Sequence, residues 1–103
     1  MAYYAPTNFQ GRPLTNSIAH LTWENNSIYS QIELKCITTS QTELLDGMET
    51  EYDWEGLTPG ETYQFALRAQ FYAPGGGEGQ WSGYIYCEVE MVWEEQAPPD
   101  NFS

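Results

Sequence analysis

Apolar side chains recur at alternate positions along several short stretches of the chain. In Tyr63-Gln64-Phe65-Ala66-Leu67-Arg68-Ala69, the residues Tyr63, Phe65, Leu67 and Ala69 share one face against Gln64, Ala66 and Arg68, the pattern of a half-buried strand. Ala19, Leu21 and Trp23 alternate in the same way with Ile18, His20 and Thr22, and Ser30, Ile32, Leu34 and Cys36 with Gln31, Glu33 and Lys35. Tyr52 and Trp54 alternate with Glu51, Asp53 and Glu55, and Ile85, Cys87, Val89 and Met91 with Tyr86, Glu88 and Glu90. The last stretch leaves its phase open, because Tyr84 and Tyr86 are equally able to face inward. Gly and Pro cluster at 11–13, 58–60, 74–77 and 98–99 and break the chain between these stretches, as turns do. Extended pieces near Asn8-Phe9-Gln10 and Ile37-Thr38-Thr39 bring the strand count to about seven, which predicts an all-β, antiparallel two-sheet sandwich. Leu44-Leu45-Asp46-Gly47-Met48 reads as a single helical turn closed by its Asp-Gly pair.

The run Tyr52-Asp53-Trp54-Glu55-Gly56-Leu57-Thr58-Pro59-Gly60-Glu61-Thr62-Tyr63 continues into the alternating strand up to Ala69. It resembles the E-to-F corner of a fibronectin type III domain, where a Leu-x-Pro-Gly-x-x-Tyr segment joins the two sheets. Trp23 is similar to that family's strand-B tryptophan at the centre of the sandwich, and Ala5-Pro6-Thr7-Asn8-Phe9 to its Pro-led first strand. The resemblance spans roughly Ala5 to Val92. The corner also has its own chemistry: Leu57 plugs the end of the core, Pro59-Gly60 pairs a fixed φ with a residue free to take positive φ, and Tyr63 points its hydroxyl at upstream backbone. Trp23, Leu57, Pro59, Gly60 and Tyr63 are therefore expected to be structural. The resemblance implies a fibronectin type III-like domain over residues 1–93. On that fold Cys36 and Cys87 lie on strands separated by a third, about twice the 4.8 Å strand spacing, so two free thiols are expected.

Charge narrows the functional classes. Against 15 Asp and Glu stand 3 Lys and Arg, for a net charge of −12, which disfavours nucleic acid and anionic lipid as partners. No apolar run reaches the roughly 20 residues of a membrane-spanning helix, so no membrane insertion is expected. The start Met1 to Pro6 has no export-signal pattern. Catalytic residues, metal ligands and cofactors are expected to be none. The single histidine, His20, reads as a solvated outward residue, and no nucleotide, nucleophile-elbow or zinc-protease motif occurs. The acidic stretch Glu43, Asp46, Glu49, Glu51, Asp53, Glu55 and Glu61 has no calcium-loop order, and on its strand portion Glu49, Glu51, Asp53 and Glu55 share an outward face that reads as self-repelling and blocks sheet-to-sheet sticking.

The glycine-rich loop from Phe71 to Trp81 is the candidate contact surface, because it is long and flanked by aromatic rings. Its candidate binding residues are Tyr72, Pro74, Gly75, Gly76, Gly77, Trp81 and the nearby Tyr84. In the resembled family this F-to-G loop is often used for binding; the adhesive Arg-Gly-Asp tripeptide is absent here, so integrin binding is not implied. Ala97-Pro98-Pro99-Asp100-Asn101-Phe102-Ser103 resembles the opening Ala5-Pro6-Thr7-Asn8-Phe9-Gln10. Residues 94–103 thus read as a linker and as the first strand of a following repeat, or as a donor strand for another copy. The expected function is a non-enzymatic spacer or attachment domain that meets protein partners or copies of itself. The family resemblance, with Met1 as native start, places it in a virion or extracellular surface assembly, such as a phage head or tail. The alternative is a carbohydrate- or protein-binding module that uses the aromatic loop, accessory to an extracellular glycosidase; its ligand would be a surface glycan.

Overall fold

The computed structural model describes residues 4–73 and 75–93. Among these, seven antiparallel strands form two sheets and no helix occurs: β1 Thr7–Pro13, β2 Ala19–Glu24, β3 Tyr29–Cys36, β4 Gln41–Asp46, β5 Glu51–Trp54, β6 Thr62–Phe71 and β7 Ile85–Glu90. One sheet has the order β1-β2-β5 and the other β4-β3-β6-β7. Their inner faces bury Leu21, Trp23, Ile32, Leu34, Trp54, Phe65, Leu67 and Val89 between them, where burial removes apolar area from water. Trp54 stands edge-on to Phe65 with ring centroids 5.5 Å apart, and Phe9 edge-on to Trp23 at 6.3 Å. Both are favourable aromatic geometries.

The alternation in β2, β5 and β7 has the predicted phase: Val89 in β7 and Met91 just after it are buried, while Tyr86 is exposed. Three expectations fail. Residues 37–40 make a turn, not a strand, closed by the Ser40 N–H on the Ile37 carbonyl with Ser40 at positive φ. The strand begins four positions later, so Leu44, Leu45 and Asp46 lie in β4 and make no helical turn. Pairing along β3 decides this: Leu45 sits opposite Ile32 and packs on the core, while Leu44 is exposed opposite Glu33. In β3 the inward residue at the start is Tyr29 and not Ser30, because the ladder to β6 shifts register between Tyr29 and Gln31. Such a bulge moves the following side chains to the opposite face.

The corner after β5 closes as its sequence implies. Leu57 is buried, Gly60 has φ +82°, and the Thr58 N–H donates to the Tyr63 hydroxyl at 2.8 Å. The Leu57 N–H donates to Ser17 O at 3.0 Å, and the Met91 N–H to Glu61 O at 2.9 Å. The corner is therefore tied to the β1–β2 turn and to the chain leaving β7. These registers set the ends of the molecule. Thr7 pairs with Glu24 at one pole, whereas Glu90 pairs with Thr62 beside the corner at the other. Cys36 and Cys87 flank Phe65 from its two neighbouring strands, and both are free thiols. Burial pushes the Cys87 thiol up to about 12.

Candidate functional site

Residues 72–84 join β6 to β7 at the pole where the chain enters. The loop's base is a continued hairpin: the Phe71 N–H donates to Gln80 O, the Ser82 N–H donates to Ala69 O, and Gln70 bridges to Trp81. The Ser82 hydroxyl accepts from the Ala69 N–H at 3.0 Å. Gln70 is the pin. Its side chain is buried, donates to Gly79 O at 2.9 Å and accepts from Gln31 Nε2 at 2.7 Å. A buried amide is tolerated because both of its ends are paired. Above the pin, Gly75, Gly76 and Gly77 all have positive φ, a run that only glycine adopts without strain. Their open surroundings leave the tip projecting into solvent with Tyr72 exposed beside it. A cleft of about 290 Å³ lies beneath, lined by Ser30, Gln31, Gln70, Tyr72 and Gly79 among others.

Trp81 and Tyr84 are not part of that tip. They lie on the outer face of the four-stranded sheet with the Arg68 guanidinium between them, its central carbon 4.4 Å from the Trp81 ring and 4.7 Å from the Tyr84 ring. Arg68 also donates to Glu33 Oε1 from Nε at 3.2 Å and from Nη2 at 2.8 Å, and the Tyr84 hydroxyl donates to the other carboxylate oxygen. Burial alone would raise the Glu33 pKa, but hydrogen bonds from Tyr84 and Arg68 and the Arg68 and Lys35 charges outweigh it and hold the carboxyl below its ordinary value. Tyr84 is raised, first by burial and then by Glu33. Tyr86 stands exposed beside Tyr84 with ring centroids 6.3 Å apart. The predicted binding residues thus divide. Tyr72, Gly75, Gly76 and Gly77 meet at the tip, Trp81 and Tyr84 are stacked on Arg68, and Pro74 lies outside the described residues.

Sequence reasoning missed Gln70, Glu33 and Arg68. Glu33 and Arg68 read only as outward from their polar identity on alternating strands, and the pairing that joins them spans 35 positions; Gln70 lies beyond the alternating stretch, which ends at Ala69. His20 also departs from expectation. Its side chain is only 20% exposed, with Nδ1 2.6 Å from Asp53 Oδ1 and Nε2 3.4 Å from Glu51 Oε1. Register explains this, since His20 sits opposite Asp53 on the neighbouring strand. Among the described residues no cluster of His, Cys, Asp and Glu is placed to hold a metal ion.

The profile of the family described as "Fibronectin type III domain" matches residues 4–88. The chain belongs to this family. Solved fibronectin type III domains share its fold at low identity. FN3tt superposes with a TM-score of 0.69 at 21% identity, covering 86% of this chain and 94% of its own. The fn3 domain of the human collagen alpha-1(XX) chain gives a TM-score of 0.74 at 12% identity, covering 95% and 93%. A segment of chicken CNTN1 with domains FN1 to FN3 gives 0.56 at 20% identity, covering 82% of this chain and 31% of that one. No curated protein sequence matches the chain. A fibronectin type III domain is a structural and interaction module, generally without catalytic activity.

Proposed function

We propose that this fibronectin type III domain is a spacer and attachment module within a larger assembly. The observation that supports it is the placement of the two ends of the described chain at opposite poles, Thr7 at one and Glu90 at the other. Modules built this way join in line, each adding its length, and the β6–β7 loop then stands at the junction with whatever precedes it. The fold occurs in the FN1 to FN3 run of chicken CNTN1. Two copies joined through residues 94–103 test this role by small-angle scattering. The expected maximum dimension is about twice that of one copy; a side-by-side pair no longer than one copy overturns the spacer role.

We propose that the assembly lies on a virion or an extracellular surface, on the strength of the family resemblance. Antibody labelling of intact particles or cells tests that placement. For attachment, the exposed Tyr72 and the glycine tip favour a protein contact. A glycan stacking on the faces of Trp81 and Tyr84 that Arg68 covers would have to displace it.

A further inference from the structure

The two long sides of the sandwich differ. On one, β1 and β7 cover each other so closely that a Cβ on Gly11 would collide with Val89 and Leu21 and touch Cys87. On the other, β4 and β5 each end a sheet, and among the described residues no strand pairs beyond them. Between these edges runs an open cleft of about 650 Å³ lined by Gln41, Glu43, Tyr52, Asp53, Trp54 and Glu55 among others. The Tyr52 hydroxyl donates to Glu43 Oε1 at 3.2 Å across it. The Trp23 N–H donates to Thr50 O, and the alternation of an antiparallel ladder then turns the N–H and C=O of Glu51 and Asp53 away from β2, toward the open side. The β5 edge therefore offers unpaired backbone groups, with carboxylates on its outer face and Tyr52 and Trp54 on its inner face.

We propose that this open side binds an extended segment in which basic residues alternate with apolar ones, added as a strand along β5. Backbone pairing supplies the register, the basic side chains meet Glu51, Asp53 and Glu55, and the apolar ones enter the cleft over Tyr52 and Trp54. Charge selects the occupant. Neither β4 nor β5 carries a Lys or Arg, so the edges of two copies repel each other. The chain's own residues 94–103 contribute Glu94, Glu95 and Asp100, two prolines and no basic residue. A cationic strand meets neither obstacle. This inference extends the attachment side of the proposed role, and its test reads peptide capture alone, so it stands or fails separately from in-line spacing.

The probe is a short fluorescein-labelled peptide of alternating Lys and Val, titrated with the full chain at low salt and followed by anisotropy and by amide shifts. The expected result is saturable binding that weakens with salt and shifts the amides of β4 and β5. Binding should fall about tenfold or more when alternate peptide nitrogens are methylated, and by a similar factor in Glu55→Lys. Glu24→Lys, the same charge change on an exposed residue of β2, should leave binding nearly intact. Equal binding of the methylated peptide or of a block peptide with all Lys at one end overturns the proposal, as does equal weakening by both variants. So does absence of binding at low salt, or shifts confined to the β6–β7 loop.

Discussion

At the scale of single residues, stability should concentrate where a buried polar group has one partner. Tyr63→Phe leaves the Thr58 N–H without its acceptor and is expected to cost about 1–3 kcal/mol, read as a lower denaturation midpoint. Arg68 stacks on two rings and forks onto a carboxylate. Arg68→Lys keeps the charge but loses the planar fit, so a loss of about 1 kcal/mol is expected; an unchanged midpoint would show that the ring contacts carry nothing. Glu33 adds a pH dependence. Its folded pKa lies below the ordinary value, so its contribution is complete above about pH 4.3 and is lost as pH falls through the lowered value. Stability curves for Glu33→Gln should be shallower than those of the parent on that acid limb and parallel to them near neutrality.

At the scale of elements, the strands obey their neighbours more than their own composition. β4 shows this. Leu44-Leu45 breaks the alternation that identifies a strand, yet six residues there pair with β3, because an edge strand needs only one side chain in contact with the core. The turn before β5 is equally tight. Gly47 is buried, and a Cβ added to it would run into the Tyr29 backbone carbonyl, which cannot rotate away. Gly47→Ala is expected to lower the melting temperature by several degrees, since backbone movement costs about 1–3 kcal/mol. Gly76→Ala meets no atoms. Its penalty is only that of positive φ, about 1 kcal/mol, so the two variants separate steric from conformational cost when melted side by side.

For the whole molecule, a net charge of −12 on 103 residues makes self-repulsion a global term. Raising ionic strength screens it, and the melting temperature is expected to rise with added sodium chloride; a fall would mean that local pairs such as Glu33–Arg68 dominate. How far this was legible in advance follows from the range of each interaction. Period-two alternation and the Leu57-Thr58-Pro59-Gly60-Glu61-Thr62-Tyr63 corner act over a few positions, so the sequence alone determined a two-layer β fold, a buried Trp23 and a Tyr63 hydroxyl turned on upstream backbone. The bulge after Tyr29, the turn displacing β4, the burial of Gln70 and the stacking of Arg68 between Trp81 and Tyr84 depend on residues brought together from distant strands. Only the tertiary structure decided that Arg68 covers Trp81 and Tyr84 while Tyr86 stays exposed, and which sheet edges stay open, because those outcomes belong to the register between strands and not to any single segment.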